Sequence, residues 1–150
     1  MNITYLKILE EIENLKKNED AKFYMDTNQW YRIAMADESA DSSPKAAILK
    51  IGTSYNYRAP MNLIVAVTTA YQSATLQVLC KTIVEDSSKH FDKIRIQTNT
   101  ENNTFYIDIH YTLDSLSNYI YVNFLGKDKY WHTSKSSDIV EYKTVAEIDI

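Results

Sequence analysis

Glycine is scarce in this sequence, since Gly52 and Gly126 are the only two among 150 residues. Phosphate-binding loops and strained nucleophile turns use glycine to let the backbone approach a ligand or turn sharply. Neither glycine has a partner at the spacing of those motifs. The sequence therefore argues against Walker and Rossmann nucleotide-binding sites and against the nucleophile elbow of the hydrolases.

Cysteine is scarcer still, because Cys80 is the only one. A single cysteine excludes a disulfide within the chain and a zinc site built from several cysteines. Cys80 lies in a mainly apolar stretch, residues 76–84, so we expect a buried thiol rather than a reactive one. His90, His110 and His132 are scattered along the sequence and predict no metal site, and no pattern indicates a cofactor.

An excess of basic charge and a long apolar run are also missing. The net charge is −4 and the pI is about 5.3, which disfavours binding to nucleic acid through wholesale neutralisation of phosphates. No run approaches the roughly 20 apolar residues that span a bilayer. The N-terminus carries acids within its apolar pattern and does not resemble a signal peptide. We therefore predict no membrane partner and a cytoplasmic protein, or one in a virion assembled in the cytoplasm.

Tyrosine, in contrast, is abundant, with 12 in the chain. Tyrosine offers a large contact area at low entropy cost and keeps a polar group, so it favours protein interfaces and stacking surfaces. A chain of 150 residues is long enough for one hydrophobic core. We expect one domain over residues 1–150.

Two segments predict helices. Apolar residues recur at helical spacing over residues 3–18, which indicates an amphipathic helix packed on its own sheet or on a neighbouring subunit. Residues 61–91 are ambiguous. We favour a strand over 63–69 and a second helix over 73–88, although the acids at its end oppose the helix dipole.

The remaining segments predict strands separated by polar loops. Short strands are expected at 23–25, 30–36 and 46–51, with a final strand over 140–150. A flexible acidic loop spans 36–45, and a loop with aromatic and basic residues spans 126–138. The predicted fold class is α+β, a mainly antiparallel sheet with an N-terminal helix and a second helix on one face.

The strongest pattern lies between Lys93 and Leu125, where alternation of apolar and polar residues predicts a meander of three antiparallel strands. Every second side chain along these strands is apolar, and together these side chains form a face that belongs to the core. That face comprises Ile94, Ile96, Phe105, Ile107, Ile109, Tyr111, Ile120, Val122 and Phe124.

The opposite, polar face of this meander is the candidate functional surface. Alternation and loop length place Arg95 opposite Asp108 and Lys93 opposite His110, and the second strand pair places His110 opposite Tyr121. The residues predicted to share this face are Lys93, Arg95, Tyr106, Asp108, His110, Tyr119, Tyr121 and Asn123.

Several interpretations of the polar face remain open. Cross-strand charge pairs and aromatic contacts stabilise a sheet without further function. Tyrosine and arginine on a flat sheet also suit a protein interface. Single-stranded nucleic acid, with Tyr106 and Tyr121 stacking on bases, is less favoured. An acid–base site or ligand site at Asp108, His110 and Tyr121 is the enzymatic alternative.

Tyr130 and Trp131, among three lysines, form a second aromatic cluster. Either one aromatic ring of this cluster is buried in the core, or the cluster anchors a partner protein. We expect a non-catalytic structural subunit that contacts other protein subunits in a homo- or hetero-oligomer, and a virion or phage-tail component fits this profile.

Overall fold

The computed structural model describes residues 4–10, 20–36, 44–54, 60–82, 89–113 and 118–150. A short helix, α1, covers residues 4–10, and ten strands follow. The first five strands are β1 (Asp20–Met25), β2 (Gln29–Ala36), β3 (Lys45–Thr53), β4 (Asn62–Ala70) and β5 (Ser73–Lys81). The next five are β6 (Phe91–Asn99), β7 (Thr104–Tyr111), β8 (Asn118–Lys127), β9 (Trp131–Ser136) and β10 (Lys143–Asp149).

The strands form two antiparallel sheets of five strands each. Sheet I has the order β1-β8-β3-β4-β5, and sheet II has the order β10-β6-β7-β2-β9. The chain passes between the sheets several times. The apolar side chains that alternate along the strands point toward the other sheet. All nine residues of the predicted apolar face are buried in this core, so that prediction is confirmed.

The first half of the predicted meander is also confirmed. β6 pairs with β7 in the expected register, with Arg95 opposite Asp108 and Lys93 opposite His110. The second half is wrong, because β8 pairs with β1 and β3 in sheet I. Alternation shows which side chains of β8 point to the core, but a core between two sheets accepts them from either side.

The predicted second helix over 73–88 is wrong where the structure describes it. Residues Ser73–Lys81 form β5, which pairs with β4 at the edge of sheet I. A register shift places Val78 opposite Val65 but Cys80 opposite Ile64. The extra residue interrupts the alternation and mimics helical spacing. Residues 83–88 lie outside the described ranges.

The bulge also explains why Cys80 was misjudged. The thiol is exposed, because Cys80 lies on the outer side of the edge strand β5 rather than on its core side. The mainly antiparallel pairing is as predicted, but the strands form two sheets rather than the one sheet expected. The described part of α1 does not pack its apolar side chains on a sheet. Tyr5, Leu6, Ile8 and Leu9 are exposed.

The loops differ in part from expectation. The predicted polar loop over 126–138 contains the strand β9, which pairs with β2 at the edge of sheet II. The carboxylate of Asp128 holds the turn before it by accepting hydrogen bonds from the backbone N–H groups of Ala46 and Tyr130, at 2.7 and 3.0 Å. Most of the predicted acidic loop, 37–43, lies outside the described residues. No described helix has the length and apolarity needed to cross a membrane.

Candidate functional site

The polar face of sheet II is built around a buried carboxylate. Asp108 is 0% exposed and lies between two arginines from neighbouring strands. Arg32 donates from Nε to Oδ1 at 2.8 Å and from Nη2 to Oδ2 at 3.1 Å. Arg95 donates from Nε to Oδ2 at 2.9 Å. These hydrogen bonds to charged groups offset the cost of removing the three charges from water.

Residues 137–142, which we call the strap, cross this face from β9 at one edge of sheet II to β10 at the other. Arg32 donates to the carbonyl oxygen of Val140 at 3.2 Å, and Arg95 donates to Glu141 at 3.0 Å. The backbone N–H of Tyr142 donates to Oε1 of Gln97 at 3.2 Å. The strap therefore fixes the two arginines and leaves little of the face to water.

Gln97 ties the strap to the sheet through both ends of its amide. Its Oε1 also accepts from Nη2 of Arg32 at 2.9 Å, and its Nε2 donates to Glu141 at 2.9 Å and to Thr144 at 3.1 Å. Hydrogen bonds from Gln97 and Arg95 hold the pKa of Glu141 below its ordinary value. The carboxylate of Glu141 is thus kept ionised over the arginine cluster.

Aromatic rings also cover the two arginines of this face. The rings of Tyr106 and Tyr142 stack with centroids 5.1 Å apart and planes 7° apart. The guanidinium of Arg32 lies 4.1 Å from the Tyr106 ring, and that of Arg95 lies 4.1 Å from the Trp30 ring. Burial, together with the neighbouring Tyr142, raises the pKa of Tyr106. Its hydroxyl stays protonated, and its partly exposed ring packs against Tyr142.

His110 and Lys93 lie at the rim of this face. Nδ1 of His110 is 2.8 Å from Oδ1 of Asp92, and its ring lies 5.2 Å from that of Trp30. His110 and Lys93 are each partly exposed. The histidine is held by Asp92 near the end of the central strand β7, two residues after Asp108.

The structure does not bring Tyr121 to Asp108 and His110. Tyr119 and Tyr121 lie on β8 in sheet I, whereas Asp108 and His110 lie on β7 in sheet II. The proposed three-residue acid–base constellation is therefore not assembled. Among the described residues, no group of three or more His, Cys, Asp or Glu side chains is placed to hold a metal ion.

The neighbouring residues Trp131 and Tyr130 differ in their exposure to solvent. Trp131 is fully buried in the core, while Tyr130 is partly exposed. The Tyr130 ring lies 5.2 Å from Nζ of the buried Lys45 and 5.2 Å from Nζ of Lys129. The sequence left two interpretations of this cluster open, burial of one aromatic ring in the core or anchoring of a partner. Trp131 fits the first.

The exposed aromatic surface lies instead on the outer face of sheet I. We call Lys22, Tyr24, Tyr119 and Tyr121 the tyrosine patch. Its three rings are 46%, 44% and 38% exposed. Tyr24 and Tyr119 make an edge contact with centroids 5.6 Å apart. Nζ of Lys22 lies 4.1 Å from the Tyr119 centroid and 5.9 Å from that of Tyr121. Tyr24, Tyr119 and Lys22 are therefore preorganised by contacts with one another, and Tyr121 lies beside them.

A shallow groove of about 450 Å³ lies farther along the same outer face. Small side chains leave it open, because Ala46, Ala66 and Gly126 line it together with Ile48. Leu125, beside Gly126 on β8, is 58% exposed. The outer face of sheet I thus joins aromatic and apolar surface, which is unusual for a face that meets only water.

Sequence reasoning missed several residues of both surfaces. Arg32 gave a signal, since a charge inside the otherwise apolar strand 30–36 implies a buried partner. Glu141 and Tyr142 gave none, because nothing in their local pattern indicates that the strap crosses a distant sheet. Lys22 and Tyr24 were missed because the pairing of β1 with β8 was not foreseen.

Comparisons with known proteins show a similarity of fold. No protein-family profile matches the chain, and no curated protein sequence matches it. The fold is similar to part of the crystal structure of the Acinetobacter phage vB_ApiP_P1 tailspike protein, with a TM-score of 0.51 and 8% sequence identity. The match covers 79% of this chain and 23% of the tailspike chain. The chain is therefore similar in fold to about a quarter of a phage tailspike.

Proposed function

We propose that this chain is a non-catalytic structural subunit that works through protein–protein contacts in a larger assembly, as a virion component of the phage-tail type. The tyrosine patch carries this proposal. Tyrosine is enriched at interfaces, where buried aromatic anchors supply much of the binding free energy. Because Tyr24 and Tyr119 already contact each other and Lys22 lies over the Tyr119 ring, a partner would bury these side chains with little further loss of side-chain entropy.

Charge suggests which partner surface would fit. Lys22 and Lys50 are exposed on the outer face of sheet I, and Lys22 lies against two of the tyrosine rings. A partner with an acidic rim around an apolar centre would match this face. The neighbouring groove, lined by small residues, would accept a protruding apolar side chain of that partner.

A catalytic function is supported less well. Arg32 and Arg95 are engaged with Asp108 beneath the strap, and Asp108 is inaccessible to a substrate. The likeness of fold to part of a tailspike also favours a role in a particle. Nucleic-acid binding through Tyr106 is disfavoured because its ring is stacked on Tyr142.

Site-directed photocross-linking in the native source tests the proposal. A benzophenone amino acid would replace Tyr121 in the patch, and Tyr71, a tyrosine exposed in the turn between β4 and β5, would serve as the control. We expect a defined cross-link to another particle subunit from position 121 and not from position 71. Equal products from both positions, or a chain that remains a monomer without a partner in light scattering, would contradict the proposal.

A further inference from the structure

The strand β5 forms one edge of sheet I. Among the described strands it pairs with β4 alone. Its first six residues, 73–78, pair with residues 65–70 of β4 without a register shift, and the bulge follows Val78. Every second residue of such a regular edge directs its backbone N–H and C=O away from the sheet. These groups form a template for hydrogen bonds with a further strand.

The edge at β5 differs in charge and length from the other three edges of the two described sheets. Lys22 lies within β1, Lys135 within β9 and Glu147 within β10, and β10 also has a register shift beside β6. Charged residues and bulges discourage the addition of a strand to a sheet edge. β5 is the longest of the four edge strands, with nine residues, and its one charged residue is Lys81 at its last position. It is therefore the edge least protected against pairing.

The core-facing side chains of β5 are incompletely covered. Ala74, Leu76 and Val78 pack against the core but are only half-buried, whereas Val65 and Val67 of the neighbouring β4 are buried. β10 lies near β5, but it pairs with β6 in sheet II. A strand beside β5 that carries apolar side chains on the core side would remove this row from water.

Symmetry shows how a second copy of β5 would supply that strand. A two-fold axis perpendicular to the sheet pairs two copies of β5 antiparallel and keeps the core-facing rows of both on the same side. A two-fold axis along the strands would pair them in parallel, but it would turn one sheet over and separate the apolar rows. The antiparallel pair is therefore the arrangement that buries both rows together.

The side chains of β5 match one another in the antiparallel pair. With the axis at Leu76, this residue faces its own copy, and Ala74 of each strand lies opposite Val78 of the other. On the outer face, the exposed Thr75 lies opposite the exposed Gln77, and both side chains are polar and uncharged. No charged residue lies within the paired residues 74–78, so no like charges oppose each other. The uncharged edge thus fits a second uncharged edge of the same sequence.

We propose that β5 pairs antiparallel with β5 of a second copy of this chain, across a two-fold axis at Leu76, and so joins two copies of sheet I into one continuous sheet. This inference goes beyond the proposed function, because it assigns a second surface and names its occupant. β3 and β4 separate this edge from β8 and the tyrosine patch.

Sedimentation of the full chain over a range of concentrations tests the pairing through charge. Thr75→Lys combined with Gln77→Lys places like charges opposite each other at two points of the interface, and we expect it to weaken the dimer by about tenfold. Thr75→Lys combined with Gln77→Glu is the matched control. It places opposite charges at the same two points and should keep the dimer within about threefold of wild type or tighten it.

Thermal unfolding shows whether the two sheets stay intact in both variants. A wild-type chain that remains monomeric would overturn the proposal. Equal effects of the two double substitutions on the dimer would also overturn it, because they would show that positions 75 and 77 do not face each other.

Cysteine cross-linking tests the position of the axis. In a Cys80→Ser background, Leu76→Cys places two thiols opposite each other, with Cα atoms about 4.5–5.5 Å apart, within the range that a disulfide spans. Val78→Cys alters the same half-buried row, but its two copies lie four residues apart along the strands, roughly 13 Å, which is too far for a disulfide. We expect a covalent dimer from position 76 under mild oxidation and far less from position 78. Equal yields would reject the axis at Leu76.

The two proposals fail separately. Because position 71 lies next to β5, the photocross-linking at positions 71 and 121 is repeated in the chain with Thr75→Lys and Gln77→Lys. A cross-link from position 121 that persists after this substitution has weakened the dimer supports both proposals. Loss of the cross-link at position 121 in a wild-type chain that still dimerises rejects the tyrosine patch alone.

Discussion

Arg95 and Asp108 face each other across β6 and β7, with Nε of the arginine 2.9 Å from Oδ2 of the carboxylate. Both side chains are buried. This pair lies at the centre of a network that joins three strands of sheet II to the strap. The strap therefore acts as a structural layer over sheet II, and the face it covers is part of the interior.

Asp108→Asn is expected to destabilise the chain strongly. The substitution leaves Arg32 and Arg95 buried without a compensating negative charge between them, and removal of one partner from a buried ion pair costs about 3–5 kcal/mol. Urea unfolding at neutral pH measures the loss. Asp149→Asn, at an exposed position of β10, serves as the control and should change stability by less than about 0.5 kcal/mol. A loss below about 1 kcal/mol in Asp108→Asn would contradict the central role of this carboxylate.

The register between Arg95 and Asp108 could be predicted from the sequence because β6 and β7 are close in the chain and alternate cleanly. The burial of these two side chains could not be predicted in the same way. The covering groups, Glu141 and Tyr142, are more than 30 residues away in sequence, and alternation is the same for a polar face under water and for one under a strap. Local patterns report which way a side chain points, not what lies above it.

The placement of Tyr121 was beyond sequence reasoning for a related reason. β8 has one apolar side, and that side faces the core whether the strand lies in sheet I or sheet II. Only the pairing partners differ, and Tyr24 and Tyr119 meet because β1 lies beside β8. The presence of exposed tyrosines followed from composition, but their grouping depended on topology.

Trp131→Ala is expected to cost about 3–5 kcal/mol, because truncation of a fully buried tryptophan leaves a large cavity. Trp131→Phe should cost much less. It retains most of the ring, and it removes an indole N–H that has no acceptor among the described residues. Circular dichroism during urea unfolding follows both variants. Similar losses for the two would indicate that the indole N–H, rather than the ring volume, stabilises this position.

Cys80 is expected to react in the folded chain. Its thiol is exposed at the edge of sheet I, so a thiol reagent should modify it without denaturant at a rate within about tenfold of that for a free cysteine. Cys80→Ser should remove the reaction and change stability by less than about 0.5 kcal/mol. Modification that needs denaturant would restore the original prediction of a buried thiol.

Glu141→Gln is expected to reduce the loss of stability in acid. The pKa of Glu141 is lowered in the folded chain by hydrogen bonds from Gln97 and Arg95, so its contribution is complete above the ordinary glutamate pKa and disappears as the pH falls below it. Because the carboxylate is 65% exposed, solvent screening limits that contribution to about 1 kcal/mol or less. Urea unfolding between about pH 6 and about pH 3 compares the two chains. The stability advantage of wild type over Glu141→Gln should shrink across that range, and a constant difference would show that the carboxylate does not hold the strap through its charge.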